Sequence, residues 1–224
     1  MDVSKLEFEP EYDRFYLRFS ESKELSHEHD TFWSGELAGR DYPYFCPGGW
    51  RRFSLKIQAS FDNDEFWKDS TIMYHGTDPK FVAPIVEHGF RPQECQHGMT
   101  CVYLSPSIIY AAHPRYARVI EHRDYYFQIV LEVRVKTSLI SGFVGETMAV
   151  GEKFVIDPNF KDNSSMEFLF KASRHVNAED GLVTTGVMMR CVDIDPQKLP
   201  ESEWWTCILK AWGAKDLSSY YRQQ

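Results

Sequence analysis

From Thr71 onward the chain is a succession of β-branched and aromatic runs bounded by turn residues: TIMYHG, CVYLS, YYFQIVLEVRV, KFVID, MEFLFK and LVTTGVMMRCVDI. Runs of this make-up fit a pleated, half-buried surface, so each is predicted as a strand. Ahead of them FSLKI alternates Phe53, Leu55 and Ile57 with Ser54 and Lys56, the period of two of a strand entered through the Pro47-Gly48-Gly49 turn. Two helices interrupt the strands early. In DPKFVAPIVEHG, Asp78 is the N-cap, Pro79 the first helical residue and Gly89 the terminator, while Pro84 removes a ladder bond and predicts a short or kinked helix. The second helix is predicted to start at Ser105 with Pro106 at its first position and to end near His113, because Pro114 biases its predecessor away from helical angles. Tyr110 then lies on the helix and Tyr116 just past it. PESEWWTCILKAWG, with Leu209, Trp205 and Trp212 on one face and Gly213 as stop, reads as a closing amphipathic helix. Strands outnumber helices, so the expected fold class is α+β with a mostly antiparallel sheet.

Polar, turn-rich stretches at SESKELSHEHD and FDNDEFWKDS divide the chain unevenly, so residues 1–65 are expected to be an N-terminal extension packing on a core domain of residues 66–224. With 224 residues, 43% of them hydrophobic, the chain is long enough to bury a full core without disulfides or metals. Cys46, Cys95, Cys101, Cys191 and Cys207 are odd in number and form no C-x-x-C pair, which suggests neither a disulfide framework nor a zinc knuckle and fits buried thiols in a reducing compartment. The acidic start has no signal-like segment and no stretch approaches the roughly twenty apolar residues of a membrane span, so the expected location is intracellular, cytoplasmic or nuclear. A formal charge of −8 opposes sequence-independent binding to nucleic acid. His27 and His29 in SHEHD have metal-like spacing but no third ligand nearby, so a solvated loop explains them with fewer assumptions and no metal is expected.

The residues that carry chemistry are His75-Gly76-Thr77 at the end of the first predicted strand, Tyr103-Leu104 on a later one, Tyr110 and Tyr116 seven and thirteen positions after Tyr103, and Glu167 at the head of MEFLFK. In type and spacing this constellation resembles the catalytic core of the poly(ADP-ribose) polymerase-like, diphtheria-toxin-type ADP-ribosyltransferases, over about residues 71–195. The flank CPGGWRRFSLKI ahead of YHGT is similar to a divergent branch of that superfamily found near neuralized-like protein 4. The resemblance implies a split antiparallel sheet, NAD+ as substrate, and transfer of ADP-ribose to a macromolecule, with protein favoured as acceptor by the acidic charge. Two positions depart from the family's pattern: Ala111 stands where many relatives have a serine that bonds the nicotinamide amide, and Cys101 replaces a glycine.

Cleaving the nicotinamide–ribose bond develops oxocarbenium character, so a site for it must hold a planar leaving group and stabilise positive charge on the sugar. On that logic Tyr103 and Tyr116 sandwich the ring, and Gly76, lacking a Cβ, lets its backbone approach the carboxamide. His75 is expected to donate to a ribose hydroxyl as a neutral imidazole, and Thr77 adds a second polar contact. Glu167 is the expected catalytic carboxylate, with Glu146 in GETMAV and Glu152 in GEKFV as substitutes; Tyr110 is expected to be a core aromatic. Two alternatives stand beside this reading: a transferase-like binding module without catalysis, favoured by Ala111, and a transferase acting on nucleic acid, which needs a local basic stripe.

Overall fold

In the run at 125–136 Phe127, Ile129, Leu131, Val133 and Val135 alternate with a second face that carries Gln128, Glu132, Arg134 and Lys136, and Gln128, Val130 and Glu132 are buried as well because both faces of the middle of the strand are covered. The computed structural model describes residues 6–15, 31–37, 40–45, 49–57, 64–94, 98–140, 156–157, 160, 163–192 and 194–199. In chain order the strands are β1 (Arg14–Phe15), β2 (Thr31–Leu37), β3 (Arg40–Phe45), β4 (Arg51–Ser54), β5 (Ser70–Gly76), β6 (Gln93–Glu94), β7 (Thr100–Leu104), β8 (Ile120–His122), β9 (Tyr125–Lys136), β10 (Phe168–Lys171) and β11 (Leu182–Val192). The helices are α1 (Asp64–Lys68), α2 (Val82–His88), α3 (Ile108–Ala111) and α4 (Thr137–Ile140). The fold is α+β, and every strand pair is antiparallel.

A six-stranded sheet runs β1-β4-β11-β9-β5, with β8 added along the start of β9; a second sheet runs β10-β7-β6; β2 and β3 form a hairpin of their own. Both β1 and β4, inside the stretch expected to be an extension, are strands of the large sheet, and Leu6 and Trp50 are buried in the cores on its two faces. On one face Met73, Leu131, Val133 and Val187 pack against α2, Val102, Leu104, Phe168 and Phe170, so the small sheet and the large sheet share this core. On the other face Trp50, Tyr74, Val130 and Met188 meet α3 and the segment that follows it. The two sheets also touch edge to edge, where the Tyr74 N–H donates to the Ser105 carbonyl at 2.7 Å and the Ser105 N–H donates back at 2.9 Å.

That bridge moves one predicted boundary. Ser105 is held extended, so the helix expected from Ser105 starts only at Ile108, with Ser107 as N-cap accepting from the Tyr110 N–H. The helix that carries Pro84 is short, as expected: Asp78 caps a 3₁₀ turn over Pro79–Phe81, α2 has 7 residues, and Pro84 falls in its first turn, where its missing N–H is not needed. Gly89 ends α2 at φ +84°, and a Cβ there would stand 2.3 Å from the Val176 carbonyl, a position for glycine alone. In KFVID, Ile156 and Asp157 form a bend rather than the predicted strand; its other residues, the closing helix at 200–213, His27, His29, Glu146, Glu152, Cys46, Cys95 and Cys207 lie outside the described residues. Cys101 and Cys191 are in no disulfide. Among the described residues no helix is long and apolar enough to cross a membrane.

The pairing of β11 with β9 shifts register at a β-bulge between Thr184 and Gly186, and a partly buried ionic network sits on it. Arg52 Nε donates to Glu132 Oε1 at 2.7 Å, its other nitrogens reach Ser54 Oγ and the Thr185 carbonyl, and the Thr185 hydroxyl donates to the same Glu132 oxygen at 2.8 Å. Glu132 is only 4% exposed, so each of its bonds offsets desolvation that water does not relieve. Glu132→Ala takes the carboxylate away from the partly buried Arg52 guanidinium, and urea denaturation is expected to read a loss of roughly 1.5–3 kcal/mol, the range of hydrogen bonds to charged groups. A loss below about 1 kcal/mol, the range of exposed pairs, contradicts this account of the bulge.

Candidate functional site

Because β5 ends beside β7, His75 is delivered to the end of Tyr103's strand. His75 Nδ1 lies 2.8 Å from the Tyr103 carbonyl oxygen, and its ring meets Phe90 edge-on at 5.0 Å. A carbonyl only accepts, so Nδ1 carries the proton. Burial pushes the imidazole below its ordinary value, with the bond to Tyr103 opposing in part, and the ring is neutral. A neutral ring protonated at Nδ1 presents Nε2 as an acceptor. The expectation that neutral His75 donates is therefore corrected: its one proton is committed to the backbone, and a ligand hydroxyl must be the donor.

The tyrosine segment is built on α3. Ser107 caps the helix and donates its own hydroxyl to the buried Asp157 carboxylate at 2.6 Å, so the short helix is held at its start from two directions. The segment then turns under the end of β5, so close that a Cβ on Gly76 would stand 2.0 Å from the Ala111 carbonyl oxygen and 2.7 Å from Tyr116 Cβ. Gly76 thus has a packing reason to be glycine that the sequence did not display. Ala111 is buried and carries no hydroxyl, and Thr77 is buried beside the same turn of chain.

Tyr110 was expected to be core, and at 3% exposed it is buried; its hydroxyl, however, belongs to the site. It donates to Glu167 Oε2 at 2.7 Å. With that proton used, the contact of 3.2 Å between the Tyr110 and Tyr116 hydroxyls places Tyr116 as donor, and the chain reads Tyr116 to Tyr110 to Glu167. Burial lifts the Glu167 carboxyl above its ordinary range, and the Tyr110 hydrogen bond offsets part of that rise. Burial first, and then the neighbouring Tyr116 and Glu167, push the Tyr110 phenol up, so it stays protonated. Glu167 stands just ahead of β10, whose pairing with β7 sets Leu169 opposite Tyr103.

His75, Gly76, Thr77, Tyr103, Tyr110, Ala111, Tyr116 and Glu167 all line one cleft of about 1200 Å³. Of the residues assigned to the site from the sequence, all but the substitute carboxylates Glu146 and Glu152, which lie outside the described residues, are brought together there, and Tyr110 joins them as a hydrogen-bonding partner. Cys101, buried at the cleft floor, and Arg91, Arg115, His88 and His175, further along the wall, line the same space. Sequence reasoning missed the Tyr110–Glu167 bond and the Asp157 support of Ser107. The seven-residue step from Tyr103 signalled the first, and a carboxylate closing the apolar run KFVI was the trace of the second. No protein-family model matches the chain, and no match is found among curated proteins.

The raised Glu167 carboxyl fixes the sign of a stability test. Its contribution is fully present below the ordinary carboxylate value and is lost as pH rises through the higher folded value, because folding penalises the charged form. Glu167→Gln removes that penalty and keeps an oxygen to accept from Tyr110. The variant is expected to melt above the parent at pH 7, with the gap closing toward pH 4; a variant that melts lower at pH 7 shows that the carboxylate is net stabilising in place.

Proposed function

We propose that the chain is an NAD+-dependent ADP-ribosyltransferase that cleaves the nicotinamide–ribose bond and passes ADP-ribose to a macromolecular acceptor, most readily a protein. The observation that carries this reading is the meeting, in one cleft, of a neutral His75, two tyrosines and a carboxylate that a tyrosine hydroxyl holds in place. The cleft is roomier than the roughly 300–1,000 Å³ of drug-sized ligand sites, which suits an extended dinucleotide better than a compact metabolite. Arg91 and Arg115 on its wall supply positive charge suited to a diphosphate.

The residues divide the work by chemistry. Tyr103 and Tyr116 offer ring faces to a planar leaving group, an arrangement worth roughly 0.5–1.5 kcal/mol beyond burial. His75 Nε2 accepts from a ribose hydroxyl, which fixes the sugar without adding charge. Glu167 sets negative charge beside the sugar carbon that becomes cationic and takes the proton of the incoming nucleophile; nicotinamide leaves with the bonding electron pair, and the acceptor heteroatom forms the new bond. Water in place of the acceptor gives NAD+ hydrolysis by the same steps.

A second reading is a ligand-binding module that has lost catalysis. It is favoured by Ala111, which is buried and offers no hydroxyl to a carboxamide, and by Glu167, which is 6% exposed. One measurement separates the readings: incubation with labelled NAD+, following free nicotinamide and label on added protein. The transferase reading expects both to rise together, and hydrolysis raises nicotinamide alone. Saturable binding without turnover supports the module, and no binding at millimolar NAD+ removes both.

The charge on Glu167 gives a further expected outcome. Only the ionised carboxylate stabilises the forming cation, so turnover should rise with pH through the elevated Glu167 value and level off above it. Glu167→Gln should lower turnover roughly 10²–10⁴-fold, with little change in NAD+ affinity, and abolish that rise. Unchanged turnover in the folded variant removes Glu167 from the chemistry.

A further inference from the structure

Gln128 is fully buried on β9, on the face of the large sheet that carries the tyrosine segment. Its side-chain nitrogen donates to the Ala112 carbonyl and to the Ala117 carbonyl, each at 2.8 Å. Its oxygen accepts from Arg190 Nε at 3.0 Å and from a second Arg190 nitrogen. All the hydrogen-bonding capacity of the amide is used. The orientation is not arbitrary: a guanidinium can only donate, so the amide oxygen must face Arg190, and the two amide protons must face the segment. Arg190 is itself buried, and its guanidinium lies 5.2 Å from the centre of the Trp50 ring, so the whole device is anchored in the sheet.

The two carbonyls that Gln128 grips flank the turn that carries Tyr116. Between them the Tyr116 and Ala117 N–H groups donate to the His113 carbonyl at 2.8 and 2.9 Å, and the Arg115 N–H donates to His113 Nδ1 at 3.2 Å. These bonds give the turn its shape. Gln128 holds both of its ends to β9.

We propose that Gln128 is a positioning residue for the cleft: by clamping the Ala112 and Ala117 carbonyls it fixes where Tyr116 stands opposite Glu167 and Tyr110. The inference rests on the reading of this cleft as a nicotinamide-nucleotide site for its effect on ligand, while the clamp itself is a statement about the turn. A buried amide that only satisfied polar groups would, on replacement by an apolar side chain of equal size, cost overall stability and leave the arrangement of the cleft unchanged. A positioning amide is not.

The test uses the full chain and two variants. Gln128→Glu keeps the size and an acceptor for Arg190 and removes both donors; Gln128→Met removes donors and acceptor without adding charge. Displacing a ligand-facing ring by about 1 Å costs up to about 10²-fold, so KM for NAD+ and Kd for nicotinamide are expected to rise 10–100-fold in both variants, with kcat changing only a few-fold. Native-state hydrogen exchange gives the independent arm. The Tyr116 and Ala117 amides should lose at least about ten-fold in protection while the amides of the β9–β11 ladder keep theirs. If the parent protein neither releases nor binds nicotinamide, the nicotinamide reading falls by itself and the exchange measurement alone decides the clamp. Unchanged protection at Tyr116 and Ala117, loss spread evenly along β9 and β11, or failure of both variants to fold overturns the proposal.

Discussion

The pair of backbone hydrogen bonds between Tyr74 and Ser105 is the constraint from which the cleft follows. It fastens the end of β5 in the large sheet to the end of β7 in the small one, and so sets His75 beside the Tyr103 carbonyl. It also spends the N–H and C=O of Ser105 on the sheet, which delays the helix to Ile108. The delay matters for chemistry. A helix begun two residues earlier, with Pro106 as its first residue, would rotate residue 110 by about 200°, at roughly 100° per residue, and take the Tyr110 hydroxyl away from Glu167. One strand-to-strand contact therefore selects the imidazole partner and the carboxylate partner together.

Buried polar groups mark where irregular chain is attached to regular chain. Arg52 and Glu132 stitch the β11 bulge, Ser107 and Asp157 hold the start of α3, and Gln128 with Arg190 holds the turn after it. Each stands where a ladder hydrogen bond is missing or a loop carbonyl is buried, and each is bonded, because desolvating such a group without a partner costs a few kcal/mol. These networks do not add much net stability compared with apolar replacements of equal shape. They restrict the chain to one arrangement, and a site assembled from two sheet ends and a turn needs that restriction more than it needs further burial.

The strands were legible because their apolar runs are long and their turns carry glycine or proline; β5, β7, β9, β10 and β11 all fall where β-branched and aromatic residues cluster. The fold class follows from them. What escaped sequence reasoning depends on partners far away in the chain. Ser105 looked like a helix cap because a serine before a proline has the local chemistry of one, and only the bridge to Tyr74, 31 positions earlier, withdraws it. His75 was read as a donor because a neutral imidazole has one proton, but sequence does not say which nitrogen holds it; the Tyr103 carbonyl does. Gly76 was assigned to a ligand approach, whereas the atoms nearest to its absent Cβ belong to Ala111 and Tyr116. The membership of the cleft was legible from residue type and spacing; the hydrogen-bond directions inside it were not.

Glu167 shows why those directions matter. On the proposed transferase reading, a carboxylate beside a developing sugar cation is useful only while it is ionised and its charge is not already neutralised. Burial alone works against the first condition by lifting the carboxyl's ordinary value. A lysine or arginine at the position of Tyr110 would restore ionisation, but it would place a positive charge within hydrogen-bond distance and cancel much of the field at the sugar. A phenol does neither harm. Tyr110 donates a hydrogen bond that favours the charged form, carries no net charge, and is itself kept protonated by burial and by the carboxylate it serves. Tyr116, donating to the Tyr110 hydroxyl oxygen, polarises that hydroxyl further and strengthens its bond to Glu167. The two tyrosines that present hydroxyls to one another thus do more than fill space: both line the cleft, and together they lower the cost of charging a buried carboxylate without answering its charge.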